Sequence, residues 1–252
     1  MHPVSTPAIV LSAIRYGDSS KIVKLATRLH GVHSVIAKGA LRPRSRFGAS
    51  LQVLSGGVAQ YLAKEHRELH TLTAFDVGRL RVGLAAHLPR WAAASVLAEL
   101  MLRFAPAVEH AESFAALDEG LDLLEAVPDD AVELAGLRAV WRLVGALGYA
   151  PALEACARCG SPVPPGELPF GTREGGALCP GCALGVQVTR LPAEGRAELV
   201  ALVDAQAVPP VLDLPHERAH RRLLGRYIHA HLAEGAELPA LAFWLARPWE
   251  PA

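Results

Sequence analysis

The chain has 252 residues, 51% of them apolar, and its 25 Lys/Arg balance 25 Asp/Glu to a formal net charge of zero. Such an apolar content excludes a disordered chain. No apolar run reaches the roughly 18 residues that a membrane-spanning helix needs, and the first residues, MHPVSTPAIVLSAIRYG, lack the basic start and cleavage site of a signal peptide, so the expected location is the cytoplasm.

The first 80 residues read as β structure. In Ile22–Leu29 one face carries Val23, Leu25, Thr27 and Leu29, and the other carries Ile22, Lys24, Ala26 and Arg28, the period-2 pattern of a half-buried strand. Ala8–Tyr16, Val32–Ala37 and Leu69–Phe75 behave alike, and Leu51–Ala63 is a longer run with Gly56 and Gly57 in its middle, read as a bulge or bend. Five short strands in this length suit a small barrel, either a five-stranded OB-fold or an SH3-like barrel.

This β region is strongly basic. Residues 1–50 hold eight Lys/Arg against one acid, Asp18. Four of those cations, Lys38, Arg42, Arg44 and Arg46, fall in a stretch too rich in Gly and Pro to be a helix, AKGALRPRSRFGAS. Cations that track phosphates, interleaved with aromatic faces that stack bases, are a physical design for gripping single-stranded nucleic acid without reading its sequence. The candidate contacts are Lys24, Arg28, Lys38, Arg42, Arg44 and Arg46. Phe47 is the leading stacking candidate, ahead of Tyr16, Tyr61 and Phe75.

From Pro89 the pattern turns helical, with helices expected over Trp91–Leu102, Ser113–Val127, Ala131–Leu147, Pro192–Ala205, His216–Leu232 and Pro239–Leu245. Residues 109–133 carry nine acids and no Lys or Arg, which either solvate the body or repel DNA from it.

All four cysteines fall in two pairs, Cys156/Cys159 and Cys179/Cys182, nineteen residues apart. Paired C-x2-C turns at this separation fit a tetrahedral four-cysteine zinc site. Four protein ligands close the site, so the expected cofactor is one structural Zn2+, fixing a segment of about 154–186 whose stretch Pro162–Gly176 offers little core of its own. Enzyme signatures are weaker. His216-Glu217-Arg218-Ala219-His220 is a literal H-E-x-x-H and leaves a zinc-dependent hydrolase as the alternative function, but Pro215 puts it in a first helical turn and Arg221 and Arg222 follow at once. His66-Arg67-Glu68 matches the H-x-E of zinc deaminases, but Ala155 and Leu178 stand where their proline must precede each cysteine pair. No P-loop, dinucleotide fingerprint or nucleophile elbow is present in the sequence. A third reading is a protein-docking scaffold whose basic loop meets an acidic protein.

The blocks Gly17…Lys21-Ile22-Val23…Leu29-His30-Gly31…Ala37-Lys38-Gly39-Ala40…Ser45-Arg46-Phe47…Leu51 resemble the N-terminal signature of the RecO family of recombination mediators. Leu147-Gly148-Tyr149-Ala150-Pro151, the cysteine pairs with Phe170 and Gly175-Gly176 between them, and Arg222-Leu223-Leu224…Tyr227-Ile228…Leu232…Leu238…Leu241 resemble its later segments. The resemblance implies an α+β chain: an OB-fold over 1–80, and a helical domain over 81–252 with an inserted four-cysteine zinc module. It implies no enzymatic activity. It implies binding of single- and double-stranded DNA through Lys38, Arg42, Arg44 and Arg46, annealing of complementary strands, and zinc held by Cys156, Cys159, Cys179 and Cys182. The implied partners are RecR, single-strand-binding protein and, indirectly, RecA and RecF, in a bacterial, nucleoid-associated protein.

Overall fold

Strands β1 (His2–Tyr16), β2 (Ser20–Thr27), β3 (Gly31–Ala37), β4 (Gly56–Ala63) and β5 (Leu69–Arg79) close into a barrel in the order β1-β2-β3-β5-β4. The structure is a computed structural model that describes residues 1–48, 50–64, 67–233 and 235–249. β3 and β5 run parallel, and every other neighbouring pair in the barrel is antiparallel. That closure is the five-stranded OB topology, which decides between the two small barrels that the strand count allows.

β1 serves two partners: it pairs with β4 from His2 to Ile9 and with β2 from Ala8 to Tyr16. This division explains why a strand tolerates Pro3 and Pro7. The Pro7 carbonyl accepts from the Arg28 amide at 3.0 Å, so the Pro7 nitrogen faces the same side, beyond the β2 ladder, where no hydrogen is needed. The barrel core is Val10, Val23, Leu25, Val35, Ala59, Tyr61 and Leu72, joined by Phe47 and Leu51 from the β3–β4 connection.

The single run expected over Leu51–Ala63 is not one strand. β4 starts at Gly56, and the residues before it form a turn in which Leu54 has a φ of 70° and Ser55 donates its hydroxyl to the Gln52 carbonyl at 2.6 Å. A Cβ on Gly57 would sit 2.2 Å from the Asp76 carbonyl oxygen, so the glycine permits close approach of β5 at the beginning of the strand.

Helices α1 (Val82–Ala86), α2 (Leu88–Phe104) and α3 (Ala111–Ala126) belong with the barrel to one unit, Met1–Ala126. α3 buries Phe114, Leu117, Leu121 and Leu124, one apolar stripe at helical spacing. Glu112 and Glu119 lie exposed on the opposite side, and Asp118, Asp122 and Glu125 flank the stripe.

The second unit is Val127–Ala252. It contains α4 (Val132–Val144), β6 (Leu168–Gly171), β7 (Gly176–Ala177), α5 (Pro180–Ala183), β8 (Thr189–Leu191), α6 (Ala193–Val203), α7 (Leu214–Ile228) and α8 (Pro239–Ala246). α4 runs into a turn that Gly148 ends with a φ of 96°. β7, β6 and β8 form a small sheet across the segment expected to lack a core. Leu168 and Phe170 are fully buried there, and the Tyr227 ring of α7 lies 6.0 Å from Phe170 and 5.2 Å from Trp141 of α4. Pro162–Gly176 therefore does have apolar anchorage. Aromatic residues distant in sequence supply it.

Candidate nucleic-acid interface and metal centre

The β3–β4 connection is a series of tight turns. The amides of Arg42, Ser45, Gly48 and Ser50 donate to the carbonyls of Gly39, Arg42, Ser45 and Phe47, and the Leu41 amide reaches the Ser19 carbonyl in the β1–β2 turn at 2.9 Å. Ala40, Phe47 and Leu51 point into the barrel core, while Lys38, Arg42, Arg44 and Arg46 are exposed. Ala49, the remaining part of this stretch, lies outside the described residues. Apolar side chains thus hold a loop whose cations face water. Among the described residues none of these four cations forms an ion pair with a carboxylate.

Phe47 corrects an expectation. The residue is only 2% exposed, so its ring has no open face on which a base could stack. Its neighbour Arg46 holds its guanidinium 5.1 Å from the ring centroid, and Phe47 acts as the anchor of the loop. Tyr61 and Phe75 are also buried, and burial pushes the Tyr61 phenol up to about 12. Tyr16 alone of the four aromatic candidates is open, at 53% exposure.

Register then arranges the strand cations. Arg15 of β1 pairs with Lys21 of β2, and Lys21 pairs with Ala37 of β3, the residue before Lys38. Arg15, Tyr16, Lys21 and Lys38 therefore share one end of the barrel, the end from which the basic loop leaves. Nothing in the sequence alone groups Arg15 with Lys21; the cross-strand register does. Lys24, exposed, sits mid-strand opposite Ser34. Arg28, also exposed, follows the far end of β2, roughly 23 Å from Lys21 along an extended strand. One phosphate track along β2 would have to run from the loop end past Lys24 to reach it.

In the second unit, the four cysteine sulfurs lie within 4.8 Å of one another, with Cys159 Sγ 3.8 Å from Cys179 Sγ. A zinc ion about 2.3 Å from each of four sulfurs sets a tetrahedron edge of about 3.8 Å, so the sulfur spacing fits the group. Local sequence builds each half. Gly160, with a φ of 72°, lets its amide return to the Cys156 carbonyl at 2.8 Å, and Cys179 precedes α5, whose first residue is Pro180. The donor set is electrostatically prepared for metal: amides at Cys179 and Cys159 favour the Cys156 thiolate and bring that thiol down to about 6, and Ser161 lowers Cys159. Contacts with the Cys179 and Cys159 sulfurs push Cys182 up to about 12, the mutual crowding of thiols that a divalent ion relieves.

The H-E-x-x-H residues open α7, with Asp213 capping it by accepting from the His216 amide at 2.9 Å. His216 Nδ1 and His220 Nε2 are each turned onto a different oxygen of the Glu198 carboxylate, at 2.8 and 2.9 Å, rather than onto a shared open point. In the H-x-E triplet, His66 lies outside the described residues.

Comparison with known proteins agrees with this architecture. The family model described as "Recombination protein O N terminal" matches residues 1–80, and that described as "Recombination protein O C terminal" matches residues 86–239. The chain is 37% identical over 253 residues to the DNA repair protein RecO of Anaeromyxobacter sp. (strain K), covering 96% of each chain. It is 33% identical to the RecO of Rubrobacter xylanophilus, over 91% of this chain and 92% of the relative, and 30% identical to that of Streptomyces griseus, over 90% and 93%. A basic OB barrel, a helical second unit and a clustered four-cysteine centre, together with matches to both halves, lead to one assignment: the chain belongs to the RecO family of DNA repair proteins.

Proposed function

We propose that the protein is a non-catalytic mediator of recombinational repair that binds single- and double-stranded DNA without sequence preference, anneals complementary strands, and acts with RecR and RecF to load RecA onto DNA coated by single-strand-binding protein. The observation that carries this reading is the β3–β4 connection: Lys38, Arg42, Arg44 and Arg46 face water while Ala40, Phe47 and Leu51 of the same connection are buried in the barrel. A loop held at fixed points keeps its cations at set positions, so less conformational freedom is lost when phosphates arrive. Tyr16, with Arg15 and Lys21 beside it, supplies an exposed ring at the same end. Annealing follows from this chemistry. Neutralised phosphates let two strands approach, and a contact set limited to backbone and stacking leaves the base-pairing edges free.

Cys156, Cys159, Cys179 and Cys182 would hold one zinc ion. With four thiolate ligands it supplies structural cross-linking and no open coordination position, in a segment already anchored through Phe170 and Tyr227. Docking of the acidic tail of single-strand-binding protein is supported by a cleft of about 530 Å3 whose lining includes Arg222, Arg226 and His229 together with Leu245 and Ala246. Cations flanked by apolar contacts suit an acidic peptide with hydrophobic residues.

Strand annealing on DNA coated with single-strand-binding protein, with and without RecR, tests the whole reading. Acceleration by the wild-type protein that Arg222→Glu and Arg226→Glu reduce on coated DNA, but not on bare DNA, supports it. No acceleration on either substrate overturns it.

A further inference from the structure

Helix α6 carries Glu194 and Glu198 four residues apart, on one face and one turn from each other. Across from them, the first turn of α7 presents His216, and one ligand atom from each of the three side chains lies within 4.8 Å of the other two. Glu198 is 7% exposed, an unusual place for a carboxylate, and its two oxygens have separate duties. Oε2 meets His220 Nε2 at 2.9 Å, and Oε1 meets His216 Nδ1 at 2.8 Å. The neighbouring cation Arg196 is turned away, donating to the carbonyls of Pro164 and Leu153.

We propose that Glu194, Glu198 and His216 form a metal site separate from the cysteines, taking one divalent transition cation of the zinc type, with His220 as its positioning residue. Two carboxylates and an imidazole are a donor set for a borderline cation, and neutralise its charge. His220 is buried, and among the described residues its Nδ1 has no hydrogen-bond partner. A buried ring nitrogen without an acceptor is best left unprotonated, which puts the His220 hydrogen on Nε2, donated to Glu198 Oε2. His220 is thereby excluded as a ligand. Instead it fixes the carboxylate so that Oε1 stays on His216, with the Glu194 carboxylate close by, the way outer hydrogen bonds orient ligands at metal sites. On binding, the His216 Nδ1 proton passes to solvent as the metal takes its place, the neutral ring keeps its other proton on Nε2, and water completes the coordination. The H-E-x-x-H motif thus contributes one ligand and one positioning residue, and no catalytic pair. The ion would join α6 to α7 across the intervening segment 204–213, which exposes Val208 and Val211.

Titration of the full-length protein with Co2+ tests the site, because thiolate ligands give an intense sulfur-to-cobalt charge-transfer band and oxygen/nitrogen ligands do not. Two Co2+ per chain are expected for the wild type, one with the thiolate band and one without. Glu194→Gln and His216→Ala change side chains that reach solvent and should remove only the second ion, while His220→Leu should weaken it by about 10–100-fold with the thiolate band intact. Hydrogen exchange over 204–216 should slow on binding of the second ion in the wild type only. A wild type that takes a single Co2+, or Glu194→Gln and His216→Ala proteins that keep both ions, would overturn the proposal.

Discussion

The guanidinium of Arg81 donates to the Asp122 carboxylate at 2.8 Å from a side chain that has no solvent exposure. Arg81 also pairs with Asp118 and donates to the Leu54 carbonyl at 3.0 Å, tying the turn before β4 to α3 within the first unit. Asp118 and Asp122 are themselves partly open to water, at 31% and 41%. The energetic consequence is asymmetric. Replacing both aspartates by Asn leaves a buried cation without its counter-charges and should cost about 3 kcal/mol or more. Arg81→Met leaves two carboxylates that water and Arg79 still serve, and should cost about 1–2 kcal/mol. Urea unfolding of the three proteins checks the order, and a larger loss from Arg81→Met would contradict it.

Phe47 is expected to matter through the core and not through stacking. Phe47→Ala should cost about 3 kcal/mol of stability, and Phe47→Leu about 1 kcal/mol. Phe47→Leu should leave affinity for single-stranded DNA within about twofold, whereas Tyr16→Ala should lower it by about tenfold. Fluorescence anisotropy with a labelled oligonucleotide separates the two rings. A tenfold loss in Phe47→Leu with unchanged stability would show that the ring does meet bases.

The barrel should weaken in acid. His33 and His70 rings lie 5.1 Å apart, with His30 beside His33 and Tyr61 stacked on His70 at 5.7 Å. Burial first, then His70, lowers His33; burial first, then Lys64 and His2, lowers His70. Both folded-state values lie below the ordinary 6.5, so near that pH the unfolded chain binds more protons than the folded one. Stability from these groups is complete above about pH 6.5 and declines as the pH falls. The urea midpoint should therefore drop between about pH 7.5 and about pH 5, and the drop should shrink in the His33→Asn/His70→Asn protein. An equal drop in that double variant would assign the effect to other groups.

Metal removal should act locally. Stripping the cysteine site with a chelator, or the Cys159→Ser change, should release hydrogen-exchange protection over about 154–186 and leave β1–β5 protected. Anchorage of Phe170 beside Tyr227 should preserve part of β6. Unchanged protection at the cysteine turns would contradict a structural role for the metal.

Much of the architecture was readable because single features had strong local grammar. The alternation through Val23, Leu25 and Thr27 announces a strand, the Gly/Pro-rich loop excludes a helix, and two C-x2-C pairs announce a clustered centre. What escaped depends on contacts distant in sequence. Phe47 beside Arg46 in a polar loop reads as exposed, and only the folding of the loop back onto the barrel buries it. The acids of α3 read as solvated or DNA-repelling, but Asp118 and Asp122 hold Arg81 and Arg79, a pairing across roughly forty residues that no period reveals. The sheet β6–β8 has strands of two to four residues, too short to show alternation, and its core comes from Trp141 and Tyr227 on helices. Leu51–Ala63 reads as one run for a related reason: Gly56 and Gly57 look alike whether they bend a strand or begin one.

A salt titration of single-stranded DNA binding measures most directly whether the basic loop on the barrel grips phosphates. Each lost phosphate contact on a single strand lowers the slope of log affinity against log salt by about 0.7, so the Arg42→Ala/Arg44→Ala/Arg46→Ala protein should bind more weakly at low salt with a slope smaller by about 2. Affinity and slope equal to those of the wild type would contradict the claim and remove the loop from the interface.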